Sequence, residues 1–596
     1  MAQLIREAPV GQLIRFVTRN KFLQYPEERP DFQLPQQWLD VLNSEKDVLE
    51  GEAVDLASPR SSQSTRIDEE SKPSPKEAED AAPYGVSLQR SRQESVPYTQ
   101  DRLEVDEIHE IQKTKSIPIV PKKTEDGAIL VDWYFSDDVD NPQNWSNSKR
   151  GLITVIICVY TFVVYMSSAI YVPSIEGVIH EFGVDMTEAS LGLALFVLGY
   201  GIGPLLFSPL SEIPRIGRNP IYIVTMLLFV IVSVPGPLVH SYPGLMVLRF
   251  LQGLFGSPCL ASGAASLGDM YSLLNVPYAL IAWVSAAYCG PAISPVLSGF
   301  SVPVMGWRWS LWEILWAAAP VFLVMFLFLP ETSAPNILLR RAERLRKLTG
   351  SDRFMSQSEI DQRNLKTSAV VVDALIKPLE ITIKDPAILF VQLYTAIIYG
   401  IYYSFFEVFP MVYPVYYGMS IGQVGLVFLC ILVACLIGVA MYISYLAFYM
   451  IPRIKKFGFP SQESRLVPAL PASFGPTIGL FIFAWTASPA IHWIAPTIGI
   501  TVYGATVFIV MQSIFVYVPL SYPQYAASLF AGNDFFRSAF AFASILFARP
   551  MYLNLGVARG TSLLGGLSTI GIFGIWLLYY YGAKLRALSK FAVSSE

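Results

Sequence analysis

Ala282–Gly299 reads AWVSAAYCGPAISPVLSG. The run carries no charge and by itself covers most of a bilayer crossing. Ala282, Ala286, Gly290, Ser294 and Ser298 recur every fourth position, so on a helix they form one stripe of small side chains. Such a stripe lets a neighbouring helix approach closely inside a membrane. Pro291 and Pro295 each remove a helical N–H, which predicts a bend along that same face. Ordinary tight packing and a moving seam between helices fit this pattern equally.

The rest of the chain places that run in a series. Of 596 residues, 53% are hydrophobic and only 15% charged, with a mean hydropathy of +0.44. The polar residues concentrate in 1–150, which reads as a hydrophilic tail, disordered over about 45–128. Residues 2–23 interleave apolar and basic positions, compatible with a helix on a membrane face or a solvated helix docked elsewhere. From 151 onward come twelve apolar runs, the first near 152–172 and the last near 562–582. The predicted architecture is all-α and polytopic: six spans in 151–330, a polar loop in 331–386, six spans in 387–582, and a short tail in 583–596. No cleavable leader is expected, because the first long apolar run begins after residue 150.

Basic residues set the expected orientation. Lys149–Arg150, the connection with Arg215 and Arg218, the 331–386 loop, the 453–465 connection and the carboxyl tail are all rich in Lys and Arg. The first connection, 173–189, has four acidic residues and no Lys or Arg. Both termini are therefore expected in the cytoplasm. The five cysteines lie inside apolar runs and the four histidines are scattered, so no metal or cofactor is expected. No phosphate-binding G-x-x-x-x-G-K-[ST] loop is present, which leaves an ATP-driven pump without a motor. An enzyme and a nucleic-acid partner are not expected either.

Ionisable residues within the spans are costly and mark candidate chemistry. Arg249 lies in LRFLQGLFGSP, three residues before Gln252; a structural cation held by carbonyls is the plainer alternative to a functional one. Asp534 and Arg537 are spaced to pair on one helical face. Glu407 sits late in the seventh run. Between the second and third runs, Glu212, Arg215, Gly217 and Arg218 form a polar turn suited to clamping helix ends by charge.

Taken in order, these segments resemble the signatures of the major facilitator superfamily, specifically its fungal twelve-span drug:proton antiporters. Glu212 with Arg215-Ile-Gly217-Arg218 is similar to the family's loop 2–3 gating motif, with Glu for Asp and Ile213–Pro214 inserted. Arg249-x-x-Gln252-Gly253 resembles the fourth-span motif, which would give Arg249 and Gln252 a part in proton coupling. Gly290–Pro291, Ser294–Pro295 and Ser298–Gly299 resemble the fifth-span antiporter motif, with Ser at two positions where many relatives have Gly. YYSFFEVFP (402–410), DNPQNWS (140–146) and the tail segment 11–33 are similar to the multidrug-resistance subgroup that includes yeast exporters of fluconazole, benomyl and cycloheximide.

The resemblance implies the major facilitator fold, two six-helix halves rocking about a midplane cavity lined from the first, fourth, seventh and tenth spans in particular, with neighbouring ones. Tyr171, Tyr399, Tyr402, Tyr403, Phe406, Glu407 and Tyr503 become candidates for that cavity. It also implies efflux of small amphipathic drugs or toxins, azoles among them, in exchange for protons, by a monomeric unit in the plasma membrane. Export of a self-made metabolite, facilitated uptake of a nutrient, and a non-transporting receptor or scaffold remain as alternatives.

Overall fold

The computed structural model describes residues 2–43, 116–124, 126–362, 379–458, 460–522 and 526–589, besides isolated positions 104, 106 and 376. Among the described residues, twelve long and largely apolar helical segments follow the tail. The first six are α1 (Asn147–Ala169), α2 (Met186–Glu212), α3 (Arg218–Ser233), α4 (Tyr242–Met270), α5 (Val276–Met305) and α6 (Trp309–Phe328). The second six are α7 (Pro386–Tyr417), α8 (Ile421–Phe457), α9 (Ala469–Thr486), α10 (Ile494–Ser521), α11 (Ala526–Leu555) and α12 (Val557–Leu588). Among the described residues, eleven of these are long and apolar enough to cross a membrane; α11, with Asp534, Arg537 and Arg549, is the more polar twelfth.

Local signals set the helix starts. The Asp185 carboxylate accepts from the Glu188 N–H while Glu188 returns a bond to the Asp185 N–H, a capping box that opens α2. Ser420 and Gln423 do the same for α8. Asp385 caps α7 and also accepts from the Tyr522 hydroxyl at 2.6 Å, fixing the start of α7 to the end of α10.

Contacts repeat with a shift of six helices. In the first half α1 packs on α5, α2 on α4 and α3 on α6; in the second half α7 packs on α11, α8 on α10 and α9 on α12. The halves meet along α2 with α11 and α5 with α8. The end of the bundle carrying both chain termini is called here the terminal end, and the opposite end the far end.

The tail is not a free arm. Leu34, Trp38, Ile129, Val131 and Trp133 share a second core with Leu338, Ala342 and Leu345 of the helix Ala334–Thr349, which follows α6. A two-residue strand, Ile129–Leu130, pairs in parallel with Phe354–Met355. This corrects the expected disorder of 45–128 at its carboxyl end, where Pro118 bridges to Phe135 and Lys123 to Ile129. Most of that stretch lies outside the described residues.

The tie between tail and loop is ionic as well as apolar. Buried Arg341 reaches Asp138 at 2.6 Å and Asp140 at 2.9 Å and lies over the Tyr134 ring, while Arg344 pairs with Glu27 at 3.1 Å. Burial alone would raise both carboxyls. Arg344 and Arg341 reverse that at Glu27, as Arg341 does at Asp138, and both are held below their ordinary values.

Candidate functional site

The stretch Ala282–Gly299 lies within α5, a helix that runs through Pro291, Pro295 and Pro303. A serine absorbs part of the cost at one of those prolines. Pro295 has no N–H for the Pro291 carbonyl, and the Ser294 hydroxyl approaches that oxygen at 3.5 Å. Ser298 bonds back to the Ser294 carbonyl at 3.0 Å, which keeps its hydroxyl paired within the helix. The small stripe then serves two partners. A Cβ on Gly290 would fall 2.8 Å from the Phe162 carbonyl, so this part of the stripe seats α5 on α1 of its own half. Farther along, Gly299 abuts the Ile421 carbonyl, and a Cβ on Gly425 of α8 would lie 2.3 Å from the Pro295 carbonyl. That end of the stripe is a seam between the two halves.

The face beside the stripe is the wall of a central cavity. Trp283, Val284, Ala287, Tyr288 and Pro291 of α5 face Ile398, Tyr399 and Tyr402 of α7. Tyr165 of α1, Val507, Met511 and Phe515 of α10, and Arg537 of α11 complete it. The lining therefore comes from the first, fifth, seventh, tenth and eleventh helices. The fourth helix contributes no residue to this lining: α4 packs mainly on α2, and its second half also touches α11. Trp283 and Tyr288 were legible as a bulky helical face flanking the small stripe, but no feature of the sequence said which face turned inward.

Hydroxyls join the halves beside this cavity. Tyr200 of α2 hydrogen-bonds to Tyr399 and, at 2.8 Å, to Tyr403, whose hydroxyl also meets Ser168 of α1 at 3.3 Å. Arg537 forms an ion pair with Asp534 on its own helix and lies 4.7 Å from the Tyr399 ring centroid. The cavity holds only about 40 Å³. Drug-sized ligands occupy pockets of about 300–1,000 Å³, so the halves must part before one enters. This is a closed state.

The other aromatic candidates divide. Phe406 and Glu407 line a separate cavity of about 130 Å³ toward the far end, with Glu176, Pro295, Phe428 and Arg549. Glu407 is 3% exposed and accepts from the Ser190 hydroxyl of the opposite half at 3.0 Å. No cation among the described residues lies within ion-pair distance of it. Tyr171 and Tyr503 line neither cavity. Tyr171 donates to the Ala189 carbonyl at 3.0 Å, and Tyr503 donates to the Ile398 carbonyl while packing edge-on to Phe405.

Arg249 is 1% exposed and is held by carbonyls rather than by a carboxylate. It donates to Ser167 and Ser168 at the end of α1 (3.0 and 3.1 Å), to Gly192 of α2 (2.9 Å), and to Gln252 (3.2 Å). Gln252 passes the chain on to Ser233 of α3, and the guanidinium lies between the Tyr171 and Phe196 rings at 5.0 and 4.6 Å. One side chain thus gathers the far parts of α1, α2 and α4.

The α2–α3 turn clamps differently from its sequence reading. Glu212 and Arg215 are exposed and make no ion pair among the described residues. Arg218 instead pairs with Asp269 of α4 at 2.8 Å. The turn's other partner, whose part here the sequence did not disclose, is Glu331, just after α6. Its carboxylate accepts the Arg218 and Asn219 N–H groups at 3.2 and 3.1 Å, capping α3, and those of Thr332 and Ser333 at 3.0 and 2.9 Å. Gly217 has φ +79°, and a Cβ there would sit 2.4 Å from a Glu331 oxygen, so glycine is required twice over.

Residues 157–548 match the family described as Major Facilitator Superfamily. The MFS-type transporter pyvG of Aspergillus violaceofuscus is 47% identical over 79% of this chain and 87% of its own length. Fluconazole resistance protein 1 of Saccharomyces cerevisiae is 39% identical over 77% of this chain and 84% of its own. Among solved structures, the proton:xylose symporter XylE superposes with a TM-score of 0.54 at 13% identity, covering 73% of this chain and 96% of that one, a likeness of fold alone. With twelve helices in two matching halves around a closed central cavity, this chain belongs to the major facilitator superfamily of membrane transporters.

Proposed function

We propose that this protein exports small amphipathic molecules, azole-like drugs or toxins among them, across the plasma membrane in exchange for protons. The observation that carries the reading is the central cavity between the halves, walled by Trp283, Tyr288, Tyr399, Tyr402 and Phe515 with one cation, Arg537. Aromatic walls recognise area and stacking rather than a fixed set of hydrogen bonds, so they accept molecules of differing shape. The likeness to a fluconazole resistance protein supports the same substrate class. Both termini are placed in the cytoplasm on the basic loops, the unit is read as a monomer, and the proton gradient takes the place of a cofactor.

In this reading Arg249 is the fixed positive centre that holds α1, α2 and α4 together as the first half moves. Glu407 is the carboxylate that takes the proton. It is buried, it spans the two halves through Ser190, and its neutral form loses no ion pair when the far end closes. Opening that end exposes it to the outside, and protonation lets it be buried again at lower cost.

Efflux of a fluorescent azole analogue from cells tests the reading. A protonophore is expected to abolish efflux, and undiminished efflux in its presence refutes proton coupling. Glu407→Gln, which mimics the protonated form, is expected to keep substrate exchange without a gradient and to lose uphill export. Uphill export at the wild-type rate in that variant removes Glu407 from the mechanism.

A further inference from the structure

The tail helix Pro9–Val17 turns its charge inward and its apolar side chains outward. Arg15, 6% exposed, donates to both Glu28 oxygens at 2.7 and 2.6 Å and to the Leu23 carbonyl at 2.8 Å. Arg6, 8% exposed, faces Asp140 at 3.6 Å, and both guanidinium groups lie over the Tyr25 ring. On the opposite side Leu13, Phe16 and Val17 are 53, 81 and 72% exposed, and Phe22, just beyond the helix, is 65% exposed. A helix docked in water shows the reverse arrangement, with its polar face to solvent.

The position of this face says what covers it. The helix packs against α6 and α3, the outer pair of the first half. Those helices present Leu323, Val324 and Leu327, and Val224 and Leu227, on their own exposed sides. Leu323, Val324 and Leu327 lie in the last part of α6 and Val224 in the first half of α3, nearer the terminal end where the tail is attached, with Leu227 one turn beyond Val224. The outward face of the tail helix is thus continuous with the lipid-facing belt of the bundle. Arg19 and Lys21, exposed in the turn between Val17 and Phe22, stand where phosphates of the interface would meet them.

We propose that residues 13–22 form a foot lying in the interfacial layer of the same bilayer that the spans cross, with Phe16, Val17 and Phe22 among the acyl chains. Arg15 ties the inner side of this foot to Glu28, and Arg6, on the preceding helix Ala2–Glu7, faces Asp140 across the shared Tyr25 ring, so the lipid surface holds the tail-and-loop cap against the first half. The proposal rests on the direction of the side chains and is independent of what the transporter carries.

The test uses the full chain reconstituted in phosphatidylcholine–phosphatidylserine vesicles. An environment-sensitive fluorophore is placed on Phe16→Cys, and for comparison on Asp31→Cys, an exposed position of the cap; the unsubstituted chain, treated alike, corrects for its own cysteines. The Phe16→Cys label is expected to be quenched by doxyl-labelled lipid and protected from aqueous iodide, and the Asp31→Cys label to behave oppositely. Equal iodide quenching at both positions overturns the proposal. Protection of the Phe16→Cys label from both quenchers also overturns it, because protein rather than lipid would then cover the face. A label on Phe22→Cys repeats the measurement outside the helix, should the first substitution disturb it.

Discussion

Gly425→Ala tests whether the α5–α8 seam belongs to a closed state that must open. The added methyl would lie 2.3 Å from the Pro295 carbonyl and 3.0 Å from the Val296 Cα, both backbone atoms that cannot swing aside. Ordinary Cβ contacts begin at 3.4 Å, so α5 and α8 must part by about 1 Å. Overpacking of this kind costs about 1–3 kcal/mol. The cost falls only on the state in which these helices touch, whereas the gain of roughly 1 kcal/mol from replacing a helical glycine by alanine applies to both states. The protein should therefore fold and reach the membrane, with the balance shifted roughly 5- to 150-fold toward opening at the far end. Spin labels at Leu238→Cys and Ala490→Cys, exposed far-end positions of the two halves, read that opening as a longer-distance population in pulsed resonance. Transport should slow, since closing this end becomes the unfavourable step. A wild-type distance distribution with wild-type transport would refute both the seam and the closed-state assignment.

Other changes address other parts. Tyr200→Phe removes the hydroxyl that meets Tyr399 and Tyr403 across the halves; at about 1 kcal/mol for each of the two bonds it should raise the open-to-closed ratio roughly thirtyfold in the same distance measurement. Arg249→Lys keeps a cation but cannot span the Ser167, Ser168 and Gly192 carbonyls together. Transport should fall about tenfold or more at unchanged surface abundance, checked by efflux and surface labelling. Arg341→Ala leaves Glu27, Asp138 and Asp140 without their shared cation and should cost the cap about 3–5 kcal/mol, seen as faster hydrogen exchange over residues 25–43 and 129–135. Because Glu27 and Asp138 are held below their ordinary values, their contribution is complete above the unfolded carboxylate range, near 4. It is lost as pH falls through the lowered values, so exchange in the wild-type cap should accelerate only in acid.

Much of the architecture was legible because a bilayer leaves a chain few choices. Apolar runs of about twenty residues must be helices, and their number and the Lys/Arg bias of the loops follow from local composition. The pairing of Asp534 with Arg537 was equally local, a matter of three-residue spacing. The lining of the cavity was not. Tyr171 and Tyr503 looked like Tyr399 and Tyr402 in sequence, and only the tertiary placement of each, Tyr171 just past the end of α1 and the others by the rotation of their helices, sent the first two to backbone carbonyls and the last two to the cavity. The role of Glu331 was not legible because its partners, the N–H groups of Arg218 and Asn219, are more than a hundred residues away in the chain.

The stretch Ala282–Gly299 shows the division most clearly. Its composition alone determined a membrane helix with one face of small side chains, because charge, length and four-residue spacing are properties of the chain itself. Which helices that face would receive depended on distant segments, α1 around Phe162 and α8 around Gly425. Only the tertiary structure decided that one end of the stripe binds within a half, that the other joins the two halves, and that the bulky face between them walls the cavity. A helix surface specifies what it can accommodate; its partner is chosen by the competition among all the faces that must be buried together.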